Sequence, residues 1–267
     1  MKVVRSFLAI LLVAASANLA PALATSYSTD QSDLWWNPSE AGWGIQFVQR
    51  DNLIFATMFV YDPSHIPIWY GGTLYPTGAS FTWSGANYVT SGSWFGNVPY
   101  NPAQFTSRVV GTMTWVATST STGTLTYTVD GVSVTKLLSR QTIVFDDFSG
   151  NFQGAIRRAS NSCSSPGNNT TTELSAGFFI AQVNNTSMSI DTSDALGNVC
   201  NYSGTLSQAG QMGSISGAYS CNTGDSGNFN IFELQVNISG ITGRFAQNSD
   251  LTACVSNGWF GAMRNAP

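Results

Sequence analysis

Charged side chains are scarce in this sequence. Asp, Glu, Lys and Arg make up 9% of its 267 residues, whereas they make up about 25% of an average soluble domain. The ten basic residues are outnumbered by fourteen acidic ones, so the chain lacks the basic face that nucleic-acid binding requires. Glycine and aromatic residues are abundant instead, with 26 Gly and 16 Phe. This composition is typical of a secreted, β-rich protein and argues against a disordered one.

Residues that commonly catalyse reactions are also few. His65 is the single histidine and lies in a predicted turn, where an exposed polar residue is the ordinary case. A glycosidase needs two placed carboxylates, and the best available pair is Glu40 with Asp62. A simpler interpretation is that Glu40 accepts hydrogen bonds from backbone N–H groups near Trp43. We therefore predict no catalytic residue and a non-enzymatic role.

Metal ligands show no familiar spacing. The four cysteines form no Cys-x-x-Cys pair, which argues against a zinc site. Asp146 and Asp147 could bind Ca²⁺ through their oxygens, although two adjacent acids in a turn are more often solvated. No glycine-rich phosphate loop follows a predicted strand. We predict neither a metal nor a cofactor.

The N-terminal apolar run is too short for a membrane-spanning helix. Residues 7–17 follow Lys2 and Arg5 and number fewer than the roughly 20 residues that such a helix needs. Small residues at Ala22 and Ala24 then form a cleavage site. The pattern predicts a Sec signal peptide over residues 1–24, cleaved after Ala24, and a secreted or periplasmic mature chain. An uncleaved anchor is the alternative.

Cysteine is absent before Cys163, and only Trp259 among the tryptophans follows residue 116. This opposite bias predicts two units, a Trp-rich β domain over residues 25–145 and a disulfide-bonded one over residues 146–267. Both contain short runs bounded by turn signals, the pattern of sandwiches and barrels, and neither has a helical apolar period. We predict an all-β protein of two antiparallel β-barrel or sandwich-like units.

The first unit contains two clear hairpins. Asp130-Gly131 predicts a type I′ turn, because both of its central residues need positive φ. A tight turn at Asp51-Asn52 places Phe47 opposite Ala56 on the core face of the sheet. We predict strands at residues 44–50, 53–61, 67–75, 79–89, 107–118, 122–129 and 132–143.

The second face of strand 53–61 is apolar as well. It carries Phe55, Phe59 and Tyr61, so the strand needs cover on both sides. We expect the second unit or an internal segment to cover this face. The alternatives are a ligand groove, a dimer surface or a lipid-facing surface, which make these three residues interface candidates.

Four cysteines allow three pairings, and strand register selects one of them. A hairpin around residues 208–213 places Cys200 opposite Cys221, near the distance that a disulfide spans. We therefore predict the disulfides Cys200–Cys221 and Cys163–Cys254. The second of these ties the beginning of the unit to its end.

Two similar segments lie near the two ends of the second unit. Residues 152–157 (FQGAIR) resemble residues 260–264 (FGAMR). If these first and last strands are neighbours, the unit is a small closed barrel without exposed edges. A membrane β-barrel is the alternative, but predicted strands of about 6–8 residues are shorter than the 9–11 that a bilayer requires.

The most specific stretch is the WWNP motif, which we define as residues 35–44. It consists of Trp35, Trp36, Asn37, Pro38, Ser39, Glu40, Ala41, Gly42, Trp43 and Gly44. Trp35 and Trp36 are adjacent and therefore point to opposite faces of a strand, which places one of them outside the core. The glycines on either side of Trp43 let the backbone bend sharply.

This motif and the turn at residues 61–69 (YDPSHIPIW) resemble an uncharacterised family of secreted proteobacterial β-domains. The family is marked by WWNPxESGWG and YDxxGxPxW. Here Ala41 stands in place of the usual Ser, and the turn after Asp62 lacks the usual Gly. The later Asp130-Gly131 hairpin, with Lys136 and Arg140-Gln141, also fits. The resemblance covers residues 34–141 and implies secretion and fold type, but no chemistry.

Aromatic side chains on a β scaffold favour a non-catalytic binding module, for glycans or cell-surface polymers. The candidate platforms are Trp35, Trp36, Trp69 and Trp94; the competing interpretation is that they fill the core. The alternative function is an envelope interaction or structural protein, or a hydrolase inhibitor, that acts through the Phe55, Phe59 and Tyr61 face. The expected partner is a glycan or a protein.

Overall fold

The computed structural model describes residues 29–265 and shows an all-β protein. Two closed antiparallel barrels of eight strands each follow one another along the described chain, which confirms the predicted fold class. The predicted signal peptide, residues 1–24, lies outside the described residues. In the described part of the chain, no helix is long and apolar enough to cross a membrane.

The first barrel contains β1 to β8 in sequence order, and β1 closes the barrel by pairing with β8. The strands are Asp33–Trp36, Gly44–Arg50, Leu53–Tyr61, Pro67–Pro76, Thr82–Ser91, Thr106–Ala117, Thr122–Val129 and Val132–Arg140. The seven predicted strands agree with β2 to β8 to within three residues at each end. Phe47 pairs with Ala56 as expected, and Asp130 and Gly131 have φ values of 46° and 87°.

The second barrel contains β9 to β16. Its strands are Gly150–Asn161, Thr171–Asn184, Ser187–Asp194, Val199–Ala209, Met212–Cys221, Ser226–Val236, Gly240–Asn248 and Val255–Arg264. The last strand pairs with the first, and Ile156 lies opposite Phe260. The similar segments 152–157 and 260–264 are therefore neighbours, and the predicted closure is confirmed.

Both predicted disulfides are present. Cys200 lies directly opposite Cys221 in the β12–β13 hairpin, and Cys163 is bonded to Cys254. The turn of this hairpin is tighter than expected, because Ala209 already pairs with Met212. The expected loop over residues 208–213 is therefore reduced to Gly210 and Gln211.

Strands in the second barrel are longer than the sequence suggested. They contain 8 to 14 residues, not about 6–8, so strand length does not distinguish this barrel from a membrane barrel. Apolar side chains line both interiors.

The core of the first barrel is built around two tryptophans. Trp35 packs edge-to-face on Trp115 with ring centroids 4.7 Å apart, and Phe47 packs on both. The segment before β1 plugs this end of the barrel, because the Trp35 indole N–H donates to the Gln31 carbonyl and the Trp115 indole N–H to the Gln31 side chain. Both buried indoles are thus paired, as buried polar groups need to be.

A buried arginine lies at the plugged end of the first barrel. The Arg140 side chain has no exposed surface, lies over the Trp35 ring and pairs with Asp33 at 3.1 Å. It also donates to the carbonyls of Asp30, Ser32 and Thr120. Burial lowers the pKa of Arg140, and the Asp33 carboxylate counteracts this effect. The Arg140 guanidinium thus fixes β1 to β8.

The β12–β13 turn docks on this arginine's partner. The Gln211 N–H donates to the Asp33 carboxylate at 2.9 Å, and the Gly210 N–H donates to the Thr142 hydroxyl. Gly210 has a φ of 59°, and a Cβ there would lie 1.9 Å from the Asp33 carboxylate. The contact therefore requires glycine. We call this end of each barrel the junction end.

Candidate functional site

The four candidate tryptophans occupy different environments. Trp35 is fully buried in the first core, so it offers no surface to a ligand. Trp36 is half-buried, as expected for its opposite orientation. Trp69 and Trp94 are 50% and 64% exposed. The prediction of a ligand platform therefore depends on Trp36, Trp69 and Trp94.

The exposed indoles do not stack on one another. Trp94 contacts Phe95, with ring centroids 5.5 Å apart and planes tilted by 49°. Trp69 lies opposite Phe59 across the β3–β4 pair. Among the ring contacts of the described residues, none joins two of the four candidates. A coplanar pair of indoles, which stacking on a sugar chain favours, is not part of this surface.

We call Phe55, Phe59, Tyr61 and Trp69 the outer aromatic face. Each is between 42% and 55% exposed, and they point outward from the adjacent strands β3 and β4. The expectation that the second unit or an internal segment covers this face is wrong for residues 29–265. The three interface candidates from the sequence and one ligand candidate therefore form one surface.

Side chains, and not backbone groups, surround the WWNP motif carboxylate. The Trp43 indole N–H donates to Glu40 at 3.0 Å, and Lys136 Nζ lies 2.8 Å from the same carboxylate. The expectation that Glu40 holds backbone N–H groups is therefore corrected. The Lys136 hydrogen bond has the largest effect on the pKa of Glu40 and, together with the weaker Trp43 hydrogen bond, lowers it although burial raises it. Lys136 also lies 5.9 Å above the Trp43 ring.

The remaining motif residues shape turns. The Asn37 side chain accepts hydrogen bonds from the Ser39 N–H and hydroxyl. Gly42 has a φ of 105°, and a Cβ there would contact the Tyr61 ring, while Gly44 begins β2. In the second turn, Asp62 accepts from the N–H groups of residues 64 and 66. These hydrogen bonds give Glu40 and Asp62 separate structural roles.

The position that lacks glycine in the second turn still adopts a glycine-like conformation. His65 has a φ of 61°, in the left-handed region that glycine enters most readily. Its N–H donates to the Asp62 carbonyl and closes the turn. The turn is therefore formed without the family's usual Gly.

Asp146 and Asp147 each accept a hydrogen bond. The Gln208 amide donates to Asp146, and the Ser149 N–H donates to Asp147. Over residues 29–265, no three His, Cys, Asp or Glu side chains are grouped so as to hold a metal ion. The described part of the chain thus gives these two acids roles in the link between the barrels.

The side chains of the second barrel leave part of its interior unfilled. This interior contains a cavity of about 300 Å³, at the lower end of the size range of small-molecule sites. Apolar side chains from most of the strands line it, among them Ile156, Leu174, Phe178, Ile190 and Ile231. Eight-stranded barrels have room for one small ligand.

The cavity is closed at the junction end. Phe148, Phe152 and Leu234 are fully buried there. A Cβ at Gly213 would lie 2.7 Å from the Phe148 ring, so this ring occupies the space that a side chain at residue 213 would need. Arg264 covers the Phe152 ring from outside, 4.7 Å above its centroid. A ligand therefore enters at the opposite end, which we call the mouth.

Both disulfides lie at the mouth. Cys200 and Cys221 line the cavity directly, and Cys254 lines a second, polar pocket of about 310 Å³ beside it. We call this pocket the vestibule. Arg158 and Asp225 are among the residues that line both spaces. The disulfides thus fix the strand ends that frame the opening.

Two tyrosines donate hydrogen bonds to residues that line both the cavity and the vestibule. Tyr202 stacks on Tyr219 with ring centroids 5.2 Å apart. The Tyr202 hydroxyl donates to Gln247, and the Tyr219 hydroxyl donates to Asp225 at 3.1 Å. Burial raises the pKa of Tyr202 to about 12, and burial together with Asp225 raises that of Tyr219 as well. Both phenols therefore stay protonated near neutral pH and act as hydrogen-bond donors.

Comparisons with known proteins add one distant structure. No family profile and no curated protein sequence match the chain. Among solved structures, the chain is similar to a Bacteroides fragilis protein described as a "putative outer membrane protein". The two are 12% identical, the alignment covers 79% of this chain and 89% of the other, and the TM-score is 0.33.

Proposed function

We propose that this protein is a non-catalytic binding protein whose second barrel holds a small apolar ligand in its interior. The observation that carries the proposal is the cavity, which is walled by apolar side chains, closed at one end and framed by polar groups at the other. Pockets of this type are the usual form of small-molecule sites. The binding class follows the sequence-based prediction, while the proposed location differs from it.

The chemistry around the cavity favours binding over catalysis. A general base works best when its pKa lies near the operating pH. The raised pKa of Tyr202 moves that phenol away from this range. The single histidine, His65, lies in a turn of the first barrel and not among the lining residues.

A neutral fluorophore, N-phenyl-1-naphthylamine, tests the proposal. We expect the purified protein to bind it saturably with enhanced emission. Leu174→Trp fills the cavity, because Leu174 faces it, and should weaken binding at least roughly tenfold, since overpacking costs about 1–3 kcal/mol. Glu173→Trp is the matched control, because Glu173 is next to Leu174 in the sequence and its side chain is 72% exposed. Equal affinities for the two variants would refute a site in the barrel.

The outer aromatic face supports a second candidate function, an interaction with a protein. Four exposed aromatic side chains on two adjacent strands resemble the apolar centre of an interface. A Phe59→Ser/Trp69→Ser variant should abolish self-association if the partner is a second copy. Light scattering coupled to size-exclusion chromatography measures this, and a monomeric wild type would direct the search to another protein.

Glycan binding also stays a proposal, with Trp69 and Trp94 as its exposed residues. A saturable shift of tryptophan fluorescence with soluble glycans, lost in Trp69→Ala or Trp94→Ala, would support it. We further propose a secreted or periplasmic location and membership of the proteobacterial β-domain family. The two disulfides support the location, because such bonds persist in oxidising compartments.

A further inference from the structure

We propose that the ligand of the second barrel is an amphiphile with one carboxylate group, which Arg158 binds at the mouth. The inference rests on the proposed function and adds the chemical class of the ligand. Its apolar part would occupy the cavity, and its head group would lie where the cavity meets the vestibule.

Strand alternation turns Arg158 toward the interior. Along β9, Phe152 and Ile156 belong to the core of the second barrel, and side chains two residues apart share one face of a strand. Arg158 is next in this series, is half-buried and lines both the cavity and the vestibule. Its neighbour Arg157 points outward, where it lies over the Trp259 ring and pairs with Glu173.

The guanidinium of Arg158 has unused donors. Among residues 29–265, no carboxylate lies within 4.0 Å of it and no acceptor completes a hydrogen bond with it. A guanidinium carries five N–H donors in a fork that matches a carboxylate. A buried arginine elsewhere in the protein, Arg140, uses its guanidinium in four hydrogen bonds. The contrast leaves Arg158 available to a ligand.

A second unpaired polar group lies beside it. Thr172 is directly opposite Arg158 in the β9–β10 pair and lines the cavity. Its hydroxyl oxygen is buried and has no hydrogen-bond partner in the described structure. Such a group is expensive to bury alone, and a hydroxyl can donate to a carboxylate. Both groups line the same cavity, where the carboxylate of a ligand would accept hydrogen bonds from both.

Two acids also face the mouth, but their oxygens already have donors. Asp194 accepts from the Asn198 amide, the Asn198 N–H and the Leu196 N–H. Burial alone raises the pKa of Asp194, but these bonds and the Arg158 charge together lower it below its usual value. Asp225 accepts from the Tyr219 and Ser249 hydroxyls. The groups at the mouth that lack hydrogen-bond partners are thus donors, whereas the carboxylates already have partners. This favours an anionic head group over a cationic one.

Calorimetric titration with decanoate and 1-decanol tests the inference. Both probes have the same chain, so any difference in affinity reports on the head group. We expect the wild type to bind decanoate roughly 10- to 100-fold more tightly than decanol, as a charge-assisted hydrogen bond gives. Arg158→Gln should remove this preference, and Arg157→Gln should keep it, because Arg157 points outward.

The outcomes separate the two proposals. Equal affinities of the wild type for decanoate and decanol would overturn the carboxylate inference and leave the cavity function standing. Failure of both probes and of N-phenyl-1-naphthylamine to bind would overturn the function itself. The wild-type ratio decides even if Arg158→Gln does not fold, and Thr172→Val, which is nearly isosteric, should lower that ratio in a folded protein.

Discussion

Glu40 is the residue through which the WWNP motif contacts the neighbouring strand β8. Its carboxylate joins the Trp43 indole N–H to Lys136 on β8. The pKa of Glu40 is lowered in the folded protein. A lowered pKa stabilises the fold at pH values above the unfolded pKa, and this contribution disappears as the pH falls through the folded value.

We therefore expect Glu40→Gln to change the pH dependence of unfolding. The wild type should lose stability between about pH 5 and pH 3 more steeply than the variant, and the two should differ most near neutral pH. Melting temperatures measured by circular dichroism across this range test the prediction. Glu173→Gln is the control, because the Glu173 side chain is 72% exposed. Parallel curves for the wild type and Glu40→Gln would contradict the assignment.

His65 holds a backbone conformation that its side chain disfavours. A left-handed φ, here 61°, costs an L-residue about 1–2 kcal/mol, whereas glycine gives back about 0.4–1 kcal/mol through its freer unfolded chain. We expect His65→Gly to stabilise the protein by about 0.5–1 kcal/mol and His65→Val to destabilise it by at least about 1 kcal/mol. Urea unfolding followed by tryptophan fluorescence measures the free energy of unfolding of both variants. If His65→Gly is less stable than the wild type, the backbone at His65 is not strained.

At the scale of strands, local pattern determined most of what could be predicted. Hairpins with short turns fix their own register, so the pairings of Phe47 with Ala56 and of Cys200 with Cys221 followed from counting residues out from the turn. The closure of the second barrel followed from the likeness of its first and last strands. These features need only near neighbours in sequence or a repeated pattern.

The cavity could not be predicted in the same way. It depends on how much of the interior the side chains of eight strands leave unfilled, which no single strand specifies. One signal was present in the sequence. Phe152, Ile156 and Arg158 are separated by even numbers of residues on β9, so they lie on the same face of the strand, and this places an arginine on an apolar face. The cover of the outer aromatic face was predicted wrongly because burial across strands depends on the placement of the whole barrel.

The two disulfides should contribute unequally to the second barrel. Their sequence separations are 91 and 21 residues, and a longer loop loses more entropy in the unfolded chain. We expect a Cys163→Ser/Cys254→Ser variant to lose about 4–5 kcal/mol and a Cys200→Ser/Cys221→Ser variant about 3 kcal/mol. Urea unfolding followed by far-ultraviolet circular dichroism measures both free energies, and the reverse order would contradict this account.

At the scale of the whole molecule, a tight turn is among the contacts that join the barrels at the junction end. Gly210 lies against Asp33, whose carboxylate also pairs with Arg140. We expect Gly210→Ala to break the docking hydrogen bonds and to cost about 1–3 kcal/mol beyond the strain of its positive φ. Differential scanning calorimetry should then show the two barrels unfolding in separate transitions.

Gly197→Ala is the matched control for this prediction. Gly197 also has a positive φ, of 83°, but a Cβ there would meet no atom within 4 Å. Gly197→Ala therefore introduces the same kind of backbone strain as Gly210→Ala, but without the clash. If Gly210→Ala and Gly197→Ala unfold alike, the turn does not couple the barrels.

The proposed function places a small apolar molecule in the interior of the second barrel. Methyl-resolved nuclear magnetic resonance with N-phenyl-1-naphthylamine tests it most directly, because both cores contain isoleucines. We predict shifts at Ile156, Ile190 and Ile231, which line the cavity, and none at Ile45 and Ile54 in the first core. Unshifted cavity methyl groups at saturating fluorophore would contradict the account.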